Sequence, residues 1–220
     1  MRAAGIGERL GVIASRGGGG AELWCARVGP HLGQLDRFSA EVLSGEERER
    51  LSRYRSRDAA ERYVLTRALV RLVLSERLRL DPRNVVVTRT DTGKPIVSGG
   101  VNFNVSHSGD LILLAVSTER PIGVDVERRR DVPRVDALVA RWLSPEEQHD
   151  VADRVHRGAS PSESFLRVWS LKEARLKALG VGISGQSRAA AELRRIEVHS
   201  LDALFEPVNA SDYVGAIAFA

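Results

Sequence analysis

Apolar residues recur at three- and four-residue steps through residues 62–80, where Leu65, Leu69, Leu72 and Val73 form a stripe that Leu80 rejoins. That spacing predicts an amphipathic helix. Leu74 and Leu78 widen its apolar face, Glu76 interrupts it, and Pro82 is expected to stop it. Upstream, Ser44 before Gly45-Glu46-Glu47 supplies an oxygen cap and an acidic first turn ahead of the long helical pattern. Residues 22–28 and 85–88 have short-strand character, and Asp91-Thr-Gly-Lys-Pro95 has turn chemistry.

The second half opens with runs of β character. Val101-Asn-Phe-Asn-Val105 leads into a polar Ser106-His107-Ser108-Gly109 turn, residues 111–116 are apolar throughout, and Gly123-Val-Asp-Val-Glu127 follows Pro121. Short connections between these runs predict antiparallel strands. Helical patterns return at residues 135–143, 145–155 and 163–179, and residues 196–198 and 213–219 are expected to close the fold as strands. The run Gly17 to Gly20 reads as a flexible connection. Leu43-Ser-Gly-Glu-Glu47 is echoed by Leu143-Ser-Pro-Glu-Glu147, 100 residues on, and each opens a helical pattern. The echo suggests an α+β fold of two similar halves, divided here as residues 1–100 and 101–220.

Composition narrows the class. The 220 residues are 43% hydrophobic and 28% charged, the balance of a folded soluble chain. No stretch approaches the roughly 18 apolar residues of a membrane span. Arg2, Glu8, Arg9 and Arg16 break up the start of the chain, so no secretory leader is expected, and a cytoplasmic location is. Cys25 is the only cysteine, which excludes an internal disulfide and a multi-cysteine zinc site. The net charge is +4, and the basic set holds 30 arginines against three lysines, Lys94, Lys172 and Lys177. Ammonium and guanidinium are not interchangeable, so each retained lysine invites a chemical reason.

Four clusters carry candidate chemistry. Asp125 and Glu127, at i and i+2 on a strand, point their carboxylates to one side of the sheet. They form either a solvated edge beside Arg128, Arg129 and Arg130 or an oxygen site for a hard cation such as magnesium. Trp169, Glu173 and Lys177 follow at four-residue steps and share a helical face; a surface ion pair explains the last two but not the indole. His107, between two hydroxyls and near Gly109, can receive a phosphate in a polar turn. Gly93-Lys94-Pro95 adds a cation or is simply a turn. No Gly-X-Ser-X-Gly elbow surrounds any serine. Together the pieces suit phosphoryl transfer.

In order and approximate spacing, Gly93-Lys-Pro95, Phe103-Asn-Val-Ser-His-Ser-Gly109, Gly123-Val-Asp-Val-Glu127 and Trp169-Ser-Leu-Lys-Glu-Ala174 with Lys177 resemble the two-domain, Sfp-type 4'-phosphopantetheinyl transferases. The resemblance implies that fold, a pseudo-twofold pair of α+β halves with the ligand in the cleft between them. It implies transfer of the phosphopantetheine arm of coenzyme A, as co-substrate, to a serine of an acyl or peptidyl carrier protein, with magnesium as cofactor and 3',5'-ADP released. Carried over, Asp125, Glu127 and Glu173 would hold the metal, and Lys94, Ser106 and His107 would contact the coenzyme phosphates. Arg62 would meet the 3'-phosphate, with Arg50 a second candidate. His107, Glu173 and Lys177 would form the catalytic set, Glu173 taking the serine proton directly or through a water and Lys177 serving the leaving group. A monomer without nucleic-acid or membrane partners is expected, with Arg128, Arg129, Arg130 and Arg134 forming either a docking edge for an acidic carrier or simply a solvated arginine-rich surface. The arginine content also motivates a nucleic-acid-binding module, but interleaved acids and 5% aromatics argue against it. A metal-dependent phosphohydrolase would use the same carboxylates with water as nucleophile.

Overall fold

The stripe over residues 62–80 becomes a helix in a computed structural model, which describes residues 2–14, 20–205 and 210–220. The first half contains β1 (Glu8–Ala14), β2 (Gly20–Arg27), α1 (Leu35–Glu41), α2 (Gly45–Leu51) and α3 (Arg57–Leu78). After these come β3 (Val87–Arg89), β4 (Pro95–Val97), β5 (Asn102–Ser108) and β6 (Leu111–Ser117). The second half contains β7 (Ile122–Arg128), α4 (Val135–Trp142), α5 (Pro145–His156) and α6 (Pro161–Leu179). It closes with α7 (Ala190–Leu193), β8 (Glu197–Ser200), α8 (Asp202–Phe205) and β9 (Tyr213–Phe219).

Three local outcomes differ from the pattern reading. The single long helical run splits into α2 and α3, because Ser56 caps a new helix by accepting from the Ala59 N–H. That helix ends before Pro82: Arg79 adopts a left-handed conformation (φ 55°) and its N–H closes on the Ser75 carbonyl. The expected turn at residues 106–109 is strand through Ser108, and the chain reverses at Gly109 and Asp110 instead. Of the glycine run, Gly17, Gly18 and Gly19 lie outside the described residues, and Gly20 begins β2.

An antiparallel sheet of order β1-β2-β6-β5 forms the first half, and one of order β7-β9-β8 the second. The first sheet thus draws on strands either side of residue 100. Its centre explains the unbroken apolar run of β6. Ile112, Leu114 and Val116 pack with Leu65, Leu69 and Leu72 of α3. Leu111, Leu113 and Ala115, on the other face, pack with Val124, Val126, Ile217 and Phe219 of the second sheet. A strand covered on both faces needs no polar alternation.

The two halves share a buried motif at the positions of the sequence echo. Ser44 and Ser144 each cap a helix in a reciprocal box with Glu47 and Glu147. Each glutamate then meets a cation from the long helix that follows, Arg67 and Arg71 of α3 for Glu47 and Lys172 of α6 for Glu147. The architecture is therefore α+β in two similar halves.

Candidate active site

The site grows from the seam between the sheets. Strands β5 and β7 are edge strands that do not pair with each other. Asn104, Ser106 and Ser108, alternating along β5, instead send side-chain oxygens to the N–H groups of Val124, Val126 and Arg128 at 2.9, 3.4 and 3.0 Å. A period of two places all three on one face. The first two satisfy donors that would otherwise be buried without partners, and the third meets an exposed one.

The same alternation brings two serines to two carboxylates. Ser106 Oγ donates to Asp125 Oδ1 at 2.9 Å, and Ser108 Oγ donates to Glu127 Oε2 at 3.1 Å. Asp125 is buried, and Glu127, half-buried, also takes a hydrogen bond from Arg130 at 2.9 Å.

Helix α6 completes the cluster. Ala174 and Ala178 pack on Ala216 and Ala218 of β9. Where α6 crosses β7, Gly123 lets the backbones touch: a Cβ there would lie 2.2 Å from the Ala174 carbonyl oxygen and 2.3 Å from the Ala178 nitrogen. At this separation Lys177 reaches across, its Nζ 2.6 Å from Asp125 Oδ1 and 3.0 Å from Ser106 Oγ. Glu173, one turn earlier, is half-buried in the same field. Burial pushes its carboxyl above the ordinary value; Asp125 and Glu127 add to the rise and Lys177 opposes it. Burial likewise raises the Asp125 carboxyl, against the pull of Lys177. Trp169, the remaining member of the stripe, stacks on Phe165 (centroids 5.7 Å apart) and packs into the α4–α6 cluster as structure.

Among the described residues, no three histidine, cysteine, aspartate or glutamate side chains close on one point that could hold a metal ion. At Asp125 the positive charge comes from Lys177. The donors still suit a hard cation in kind: they are carboxylate oxygens, and Asp125 Oδ2 is buried with no hydrogen-bond partner. A buried orphan lone pair of that sort is costly unless a cation or donor meets it.

Cations border the carboxylates on the other side. Arg62 on α3 donates to the Gly109 carbonyl at 3.2 Å, across the two-residue reversal that ends β5. Gly109 is required there, with φ at +56° and the Tyr213 hydroxyl 2.7 Å from where a Cβ would stand. The His107 ring is held below its ordinary pKa first by local desolvation, then by the charges of Arg62 and Lys177. The charges of Arg62 and Lys177 are thus both felt at His107. Arg50 stands apart over the Tyr63 ring (5.7 Å) and lines an open pocket of about 690 Å³ with Arg53, Arg55 and Ser56. Lys94 donates to the carbonyls of Ile122 (3.2 Å) and Ala178 (2.8 Å), and burial lowers its pKa to about 8. Lys172 is buried on Glu147 at 2.7 Å, on the far side of α6, and Ser106 spends its proton on Asp125. In the arginine run, Arg129 is engaged with Glu163 and the Tyr213 carbonyl, whereas Arg128, Arg130 and Arg134 are exposed.

Gly123 and Asn104 are structural members of the site that reading residue chemistry alone passes over. The glycine's signal was its place in Gly123-Val-Asp-Val-Glu127, and the asparagine's was the every-second-residue polarity of residues 104–108.

A model of the 4'-phosphopantetheinyl transferase superfamily matches residues 121–212, and one described as 4'-phosphopantetheinyl transferase, N-terminal, matches residues 30–119. A phosphopantetheinyl transferase of Thraustochytrium sp. is 34% identical over 76% of this chain and 64% of its own length. The 4'-phosphopantetheinyl transferase HetI of Nostoc sp. is 32% identical over 80% of this chain and 72% of its own length. The 4'-phosphopantetheinyl transferase Sfp of Bacillus subtilis is 30% identical over 68% and 65% respectively. The chain therefore spans just under two thirds of the Thraustochytrium and Bacillus relatives. No described helix is long and apolar enough to cross a membrane.

Proposed function

This chain belongs to the Sfp-type 4'-phosphopantetheinyl transferases, and we propose that it transfers the 4'-phosphopantetheine arm of coenzyme A to a serine of an acyl or peptidyl carrier protein, releasing 3',5'-ADP. The observation that carries the reading is the seam itself. Buried Asp125, on one strand with Glu127, meets Lys177 of α6; the charges of both carboxylates are felt by Glu173 on the same helix face, and those of Lys177 and Arg62 by His107.

Each group has a task suited to its position. Arg62 and His107 present positive and donor groups to the coenzyme phosphates, with Arg50, over the Tyr63 ring, a second candidate for the 3'-phosphate. Asp125, Glu127 and Glu173 would hold magnesium, which when bound draws charge from the pyrophosphate oxygens. Glu173, its carboxyl raised by burial, takes the proton of the carrier serine hydroxyl directly or through a water. The serine oxygen forms a bond to the phosphorus bearing the pantetheine arm, and the bond from that phosphorus to the bridging oxygen of the pyrophosphate breaks. Lys177 stabilises the charge left on the departing 3',5'-ADP. Exposed Arg128, Arg130 and Arg134 offer an edge to an acidic carrier, so the carrier KM should rise with salt.

The test is release of 3',5'-ADP from coenzyme A with and without an apo-carrier. Carrier-dependent release supports transfer. Equal release without the carrier means that water is the nucleophile and the chain is a phosphohydrolase.

A further inference from the structure

Lys94 is one of three lysines in a chain with 30 arginines, and both hydrogen bonds of its ammonium go to backbone carbonyls. It stands at the end of the β3–β4 turn, where its N–H donates to Thr90 Oγ1 at 3.1 Å and its carbonyl accepts from the Thr90 N–H at 2.9 Å. From there the side chain runs over Gly180, the left-handed cap of α6 (φ +73°), whose added Cβ would lie 3.1 Å from Lys94 Cδ. The ammonium bridges the Ala178 carbonyl in the last turn of α6 and the Ile122 carbonyl at the start of β7.

That is the point where α6 crosses β7 at Gly123. The last carbonyls of a helix have no partner within it, and a cation there also complements the helix dipole. The Gly180 and Val181 N–H groups take the carbonyls of Leu176 and Lys177, so Lys94 serves the next one, that of Ala178. A compact ammonium fits between two carbonyls where a planar guanidinium would not, which accounts for a lysine here.

We propose that Lys94 is a positioning residue for Lys177: it pins the last turn of α6 to β7 and so holds the Lys177 ammonium at Asp125, without itself binding the coenzyme phosphates. The proposal rests on the transferase reading for what Lys177 does, but the pin is a property of the fold and has its own readout.

The experiment uses the full chain with Lys94→Met, and with Lys94→Arg, whose planar guanidinium does not fit between the two carbonyls, as a second way of breaking the bridge should the first variant fold poorly. Amide hydrogen exchange at residues 176–181 should accelerate about tenfold in either variant, while the centre of α3 keeps its protection. Affinity for 3',5'-ADP, measured calorimetrically, should stay within about twofold, and kcat for transfer should fall about tenfold at an unchanged KM for coenzyme A. Unchanged exchange in α6 overturns the proposal. So does a tenfold loss of 3',5'-ADP affinity with kcat retained, which would make Lys94 a ligand. If the wild-type chain transfers nothing to a carrier, the proposed function fails, and the exchange and affinity measurements still decide the role of Lys94.

Discussion

Gly123→Ala is the substitution whose consequence the structure sets most tightly. The new methyl would lie 2.2 Å from the Ala174 carbonyl oxygen, 2.3 Å from the Ala178 nitrogen and 2.8 Å from the Lys177 carbonyl carbon, all backbone atoms. Backbone cannot rotate aside, so helix and strand must part by about 1 Å to reach ordinary contact. Overpacking of this kind costs about 1–3 kcal/mol. For a chain of this size that lowers Tm by about 3–10 °C. The functional loss should be larger than the stability loss suggests. Lys177 meets Asp125 at 2.6 Å and Ser106 at 3.0 Å, and both contacts lengthen as α6 lifts. Misplacing a reacting group by about 1 Å costs on the order of a hundredfold in rate. The assay is phosphopantetheine transfer to a carrier at saturating coenzyme A, well below the variant's Tm, with circular dichroism to verify folding. A Gly123→Ala chain with wild-type kcat and wild-type Tm would refute the reasoning that close approach at Gly123 sets the site.

Other substitutions probe separate parts of the account. Arg62→Ala should raise KM for coenzyme A about tenfold, equivalent to about 1.4 kcal/mol, and leave KM for 3'-dephospho-coenzyme A nearly unchanged; an equal rise for both would detach Arg62 from the 3'-phosphate. Glu47→Ala leaves buried Arg71 without its carboxylate and should cost about 3–5 kcal/mol in urea denaturation, and a loss under about 1 kcal/mol would contradict a buried pair. Lys94 has a folded-state pKa of about 8, below its ordinary 10.5, so between these values the unfolded chain binds more protons and stability rises with pH. Tm of the wild type should therefore climb through that window relative to Lys94→Met, and parallel profiles would show that the Lys94 ammonium is not desolvated.

What the sequence makes legible is whatever depends on period or on neighbours along the chain. Alternation places Asp125 and Glu127 on one face, and the structure turns both toward β5, each with its own serine. Four-residue spacing puts Glu173 and Lys177 on one helix face, where Lys177 meets Asp125 and Glu173 feels the charge of Asp125 and Glu127. The echo around Ser44 and Ser144 becomes two capping boxes with buried cations. Features that depend on distance between remote elements were not legible. Nothing near Lys172 in sequence points to Glu147, and nothing near Lys94 points to the end of α6. The polar run at residues 106–108 looks like a turn because its hydroxyls find their partners on a strand still to come in the chain. Gly123 reads as strand weakness until the helix above it is in place.

The most direct test is the intact mass of an apo-carrier protein after incubation with this chain, coenzyme A and magnesium, run beside Asp125→Ala and beside a chelated control. The account predicts a gain of one phosphopantetheine group per carrier with the wild-type chain, and an unmodified carrier with folded Asp125→Ala and with chelator. An unmodified carrier in the wild-type reaction, or modification at the wild-type rate by Asp125→Ala, would contradict it.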